Sequence, residues 1–125
     1  MSKLFKAIKM TIKHRYGVFR LCCKCGLPWR GITHDLSKYS WVEFRERVKY
    51  YSDERSPLDI SKEINGRSLA IEHHLRKNKH HFGYWYNASL EEQQDIPYPY
   101  LVEMICDMIT ATKNYHKNNP DPKLV

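Results

Sequence analysis

At 125 residues and 15.0 kDa the chain has room for one buried core but not two, so one domain is expected over residues 1–117, with a flexible tail over 118–125. Its 42% hydrophobic and 28% charged residues exclude a disordered chain, and the lack of any run of ~18 apolar residues excludes a membrane-spanning helix. The net charge of +7 is gathered in residues 1–34, which hold eight Lys or Arg and no Asp or Glu, leaving −1 for the rest.

The lysine-punctuated N-terminus lacks the apolar core of a signal peptide, so a cytoplasmic protein is expected. Cysteines in that compartment stay reduced, and the C-x-x-C of Cys22 and Cys25 is followed by no second C-x-x-C or H-x-x-x-H to complete a structural zinc site; Cys106 stands alone.

Residues 3–24 suit a helix, because Leu4, Phe5, Ile8, Ile12, Tyr16, Phe19 and Cys23 recur at three- and four-residue steps. Lys6, Lys9, Lys13, Arg20 and Lys24 collect on another side, which suits an anionic substrate, nucleic acid or a membrane surface, or is a solvated face. His14 belongs to neither group. Its helical neighbours Ala7, Met10, Thr11, Val18 and Leu21 form a small, largely apolar stripe, so His14 is expected to point inward.

Gly26, Pro28 and Gly31 break the chain before His34-Asp35-Leu36-Ser37-Lys38, which is expected on a short turn or helix of its own. Ser40 with Glu43 reads as a capping box for a helix to about Tyr51. Ser56, Pro57 and Asp59 start the next, which Asn65-Gly66 ends. From Arg67 a helix runs through Leu69, Ala70, Ile71 and Leu75 into two histidine pairs, His73-His74 and His80-His81, with a break near Asn78. Ser89 to Glu92 marks a helical turn, and a last helix spans about Tyr100 to Tyr115, apolar at Leu101, Met104, Ile105, Met108 and Ile109. On it, Asp107 shares a face with Glu103 and Asn114 beside the apolar stripe, as an exposed carboxylate would. No strand alternation, repeat or low-complexity tract is present, so the fold class is all-α, a compact bundle of about five main helices.

Six of the seven histidines precede Asp107, and only His116 stands after it. Imidazole and carboxylate are ligands for divalent transition metals, and facing helices of a bundle can supply them to one point. The order His14, then His34-Asp35, then the two His pairs, then Asp107 resembles the H…HD…D signature of the HD superfamily of metal-dependent phosphohydrolases, and in particular its dinuclear members. His34-Asp35-Leu36-Ser37-Lys38 is similar to the H-D-x-x-K form of that signature. The same block, with Asn78-Lys79-His80-His81, also resembles a family of small uncharacterised bacterial and phage proteins that carries no activity with it.

The HD resemblance implies an HD-like fold and one or two divalent ions, Fe, Mn, Co, Ni or Zn, with Mg also compatible. Carried over by position, it makes His14, His34, Asp35 and Asp107 ligands of one metal. Asp35 then bridges to a second, held by one residue of each pair, with His74 and His80 favoured and His81 close behind; whether Glu103 takes part stays open. A metal-bound hydroxide would be the nucleophile, with Asp35 and Lys38 as the catalytic residues. Lys38, Arg76 and Lys79 would bind substrate, and Arg67 and Lys77 are further cations near the His blocks. Tyr84, Trp85 and Tyr86 would stack a base or line the pocket, although Trp85 suits the core better.

The leading expectation is hydrolysis of a nucleotide or a similar small phosphate ester. Two alternatives remain: an HD-type diiron oxygenase that cleaves a C–C or C–P bond, and a non-catalytic module that binds a partner or nucleic acid through the basic helix.

Overall fold

A computed structural model describes residues 2–85 and 95–118, the last four by backbone alone. Tyr86, the turn expected over 89–92, the His116 side chain and residues 119–125 lie outside the described residues. The described chain is all-helical: α1 (Lys3–Lys24), α2 (Pro28–Ile32), a 3-10 turn (Leu36–Tyr39), α3 (Trp41–Lys49), α4 (Pro57–Asn65), α5 (Leu69–Lys77), α6 (Phe82–Trp85) and α7 (Tyr98–Asn118). No helix among them is long and apolar enough to cross a membrane.

Among the described residues seven α-helices stand where about five were expected, because α2 is wound where Gly26, Pro28 and Gly31 suggest a break and α6 is a separate turn beyond the break at Asn78. Pro28 sits in the first turn of α2, where its missing N–H costs nothing and its fixed φ favours the helix, so a break signal here starts one. The Ser40–Glu43 capping box does not form. The Ser40 hydroxyl donates to the Ser37 carbonyl at 2.6 Å, and Glu43 turns inward, fully buried. α4 follows Ser56, whose side chain makes no capping bond, and is ended by Gly66, whose φ of 78° is a left-handed conformation that glycine adopts without cost. Ser68 caps α5, its hydroxyl accepting from the Ile71 N–H at 3.1 Å.

α1 packs on both α2 and α7, and it does so through its small residues. Ala7, Thr11, His14, Val18 and Cys22 are buried, whereas Phe5 and Ile12 are more than half exposed at 55% and 56%. The large apolar series that reveals the helix therefore faces outward. Close approach is the physical reason: a Cβ on Gly17 would lie 2.6 Å from Thr110 Cγ2, and one on Gly31 2.5 Å from Phe19 Cα, so bulky residues have no place in these contacts.

α7 is inverted in the same way. Glu103, Cys106, Thr110 and Asn114 are buried, while Leu101, Ile105, Met108 and Ile109 are exposed, which corrects the expected exposed carboxylate face. Val18, Cys22 and Cys106, with Leu21 and Val102 against them, form a small apolar cluster at one end of the α1–α7 contact. All four cysteines are free thiols, and burial beside Cys106 pushes the Cys22 thiol up to about 12.

Candidate metal centre

The other end of that contact is polar, and Asp35 is its middle. Asp35 occupies a left-handed backbone position, φ 54° and ψ 33°, between α2 and the 3-10 turn. Asp is one of the few side chains that reach this region at modest cost, and strain of this kind gathers at functional sites. The turn buries the carboxylate with one oxygen toward each of two histidine groups. Oδ2 lies 3.1 Å from His34 Nε2 and 2.9 Å from Lys38 Nζ. Oδ1 lies 3.0 Å from His80 Nε2 and 3.2 Å from His74 Nε2.

α1 and α7 complete the first group. His14 Nε2 is 2.7 Å from Asp107 Oδ1 and 3.3 Å from His34 Nε2. α5 and the residues after it complete the second, with His74 Nε2 2.8 Å from His81 Nε2. Asn78 makes this possible: its extended backbone (φ −123°, ψ 108°) breaks the helical register, so His80 and His81 both reach the site that His74 faces. His14, His34, Asp35 and Asp107 each offer a ligand atom within 4.8 Å of the others, and so do Asp35, His74, His80 and His81. These two sets share only Asp35.

Two carboxylates behind the histidines fix which nitrogen faces inward. Glu103 Oε2 lies 2.8 Å from His34 Nδ1 and 2.7 Å from His80 Nδ1. Glu43 Oε1 lies 2.6 Å from His74 Nδ1, and its Oε2 2.7 Å from His73 Nδ1. An Nδ1 opposite a carboxylate donates, which leaves the Nε2 lone pair of His34, His74 and His80 pointing at the centre. There these lone pairs meet carboxylate oxygens and one another. Asp35 Oδ1 and His80 Nε2, although 3.0 Å apart, are not aligned as donor and acceptor, and both stand without a hydrogen-bond partner among the described residues. So many acceptors facing one another repel unless positive charge lies between them. The donor set and the orphaned atoms fit a divalent transition-metal pair.

In the metal-free chain protons meet part of that need. Burial opposes charge on His34, but Asp35 and hydrogen bonds to Asp107, Asp35 and Glu103 carry it up to about 9. Burial opposes charge on His80, but the surrounding Asp107, Asp35 and Glu103 carboxylates carry it up to about 11. Burial and the nearby His80 and His74 charges push His81 down to about 3, and burial also lowers His14. Asp35 and Asp107 are held well below the carboxylate range despite burial, Asp35 by Lys38 and His34, Asp107 by the three imidazoles that reach it.

The centre opens on a cavity of about 300 Å³ toward α3 and α4, which His14, Asp35, Lys38, His74, His81 and Asp107 line at one end. Lys79 is elsewhere. It lines a second depression behind Glu103 and His80, and its ammonium lies 5.9 Å and 5.7 Å over the Tyr84 and Tyr100 rings. Arg76 is exposed and lines neither. Arg67 pairs with Glu72, Lys77 lines the second depression, and Trp85 donates to the Lys79 carbonyl at 2.6 Å beside Tyr84.

Glu43 escaped the sequence reading, because three residues after Ser40 it has a complete local explanation as a cap.

A family model described as "Family of unknown function (DUF5662)" matches residues 3–123, and the chain belongs to that family. No curated protein and no solved structure matches the chain.

Proposed function

We propose that this protein is an HD-type, dinuclear metal-dependent phosphohydrolase acting on a small phosphate ester such as a nucleotide. The reading rests on one observation: two ligand sets that share only Asp35, with one of its oxygens aimed at each. Two bound cations would supply a water ionised near neutral pH and a Lewis-acid pull on the phosphoryl oxygens.

The chain's own residues do the rest. Asp35 and Asp107 are anions in the folded protein, so they offer charge to cations without first losing a proton. Glu103 and Glu43 hold three imidazoles in the tautomer that faces the centre. Lys38 is buried with its ammonium against Asp35 and lines the cavity, where it would offset negative charge that gathers on a phosphoryl group. Hydrolysis adds water across the P–O ester bond and releases phosphate and the alcohol. The test is phosphate release from a panel of nucleotides and sugar phosphates by the metal-loaded protein. Activity lost in Asp35→Asn and Lys38→Gln variants that keep their fold supports the reading, and a metal-loaded protein inert toward the whole panel overturns it.

The nitrogen-rich ligand set is also the observation that favours the diiron oxygenase, since five imidazoles beside two carboxylates suit iron. A mixed-valent diiron EPR signal that changes on adding substrate would select it over hydrolysis.

A further inference from the structure

Among the described residues, five buried side-chain nitrogen or oxygen atoms have no hydrogen-bond partner. Asp35 Oδ1 and His80 Nε2 belong to the metal centre. Arg15 Nε belongs to a guanidinium already bonded through its other nitrogens to the Ile32 carbonyl and the Tyr39 hydroxyl. The remaining two, Arg47 Nε and Asn114 Nδ2, both line the cavity that opens from the centre.

A buried donor without an acceptor is destabilising, so two donors on one cavity mark a place where a bound molecule brings the acceptors. Arg47 makes no ion pair or hydrogen bond with any described residue, in contrast to Lys38, whose ammonium is already committed to Asp35. Both lie beyond the centre along their own helices. Arg47 follows Glu43 by one turn of α3, and Asn114 follows Asp107 by two turns of α7, offsets of about 6 Å and 10 Å along the helix axes. Leu58, Ile71 and Met10 line the same cavity, so the stretch it encloses is largely apolar.

We propose that this cavity holds the non-reacting end of the substrate, and that this end carries a second oxyanion, a carboxylate or a phosphate, bound by Arg47 and Asn114. The proposal rests on the phosphohydrolase reading for the other end, where Lys38 and the metals meet the reacting phosphoryl group. A guanidinium suits the task because its planar fork matches either oxyanion, and the amide adds a neutral donor.

Calorimetric titration of the full chain, loaded with Mn²⁺, tests it with three non-hydrolysable series: alkylphosphonates, ω-carboxyalkylphosphonates and α,ω-bisphosphonates, with roughly two to five methylenes to match the helix offsets. At one length a doubly anionic probe should bind roughly tenfold tighter than its alkyl counterpart or better, and the preferred series identifies the second oxyanion as carboxylate or phosphate. Arg47→Gln should abolish that advantage while leaving alkylphosphonate affinity and metal content unchanged. Arg47→Lys, which keeps the charge without the fork, should retain only part of it and serves if the glutamine variant does not fold. No advantage at any length, or an advantage that survives in Arg47→Gln or is whole in Arg47→Lys, overturns the proposal. Alkylphosphonate binding that does not depend on the metal would instead overturn the phosphohydrolase reading.

Discussion

At one end of the α1–α7 contact Val18, Cys22 and Cys106 close on one another, and at the other His14 meets Asp107 at 2.7 Å beside His34 and Asp35. The same two helices make both ends. The apolar end is complete as it stands, because burial of apolar surface needs no partner beyond the chain. The polar end is complete only with positive charge among its acceptors. It is also the larger: among the described residues the buried hydrophobic ones are Ala7, Val18, Cys22, Leu58, Ala70 and Cys106, none of them aromatic, while His34, His80, Glu43 and Asp35 are among the largest side chains fully buried. Here a cluster of imidazoles and carboxylates takes the place that an apolar core fills in most domains, so on the proposed reading cations should act on stability as well as on chemistry.

The largest expected effect comes from the residue common to both ligand sets. Asp35→Ala should lower phosphate release by at least ~10³-fold and remove bound metal, since it deletes the bridge and unpairs Lys38. Steady-state kinetics with metal analysis would show this, and a variant that keeps both would break the contrast at its polar end. Chelation comes next. A cation at ~1,000 times its Kd stabilises the fold by about 4 kcal/mol, so the thermal midpoint should fall by at least ~10 °C when metal is stripped. An unchanged midpoint in scanning calorimetry would mean that the polar end supports itself.

The outward series on α1 shows how much of this was legible. Leu4, Phe5, Ile8 and Ile12 gave the helix its period but not its orientation, because a period is the same whichever face is buried. The small stripe around His14 gave the orientation. His34, Asp35 and Lys38 were readable because they are adjacent in sequence, and their neighbours in space preserve that order. For Asp107 the helix and the resemblance point opposite ways: its face of α7 looks polar and exposed, and only the order of the motif makes it a ligand, because the imidazoles that turn that face inward come from other elements. Glu43 and Glu103 act across gaps of 31 and 69 residues, a separation that no local pattern reports.

Intermediate effects lie in that supporting shell. Glu103→Gln should weaken metal binding by roughly 10–100-fold, because one oxygen orients both His34 and His80, and Glu43→Gln should do the same through His74. Competition with a chelating dye measures this, and full affinity in both variants would confine the centre to its direct ligands.

The pH dependence has a definite sign. In the metal-free chain His34 binds its proton up to about pH 9 against 6.5 for an unperturbed imidazole, so a metal must displace that proton. Metal affinity should therefore climb from pH 6.5 toward 9, with proton release visible as buffer-dependent heat. For the metal-free fold, the His34 contribution is whole below pH 6.5 and lost as pH rises through about 9, so the gain in midpoint on adding metal should be larger at alkaline pH. A flat profile would contradict the assignment of His34 as a ligand.

The smallest effect tests the apolar end. Val18→Ala should cost about 1–2 kcal/mol in denaturant unfolding with metal stoichiometry unchanged, since the cavity it leaves lies against Cys22 and Cys106, a cluster that holds no ligand atom.

Metal stoichiometry by mass spectrometry of the native, metal-loaded chain tests the central claim most directly. Two ions per chain in the wild type, with neither retained in Asp35→Ala, is the predicted result. A wild-type chain that retains no ion after loading, or an Asp35→Ala variant that holds both, would contradict it.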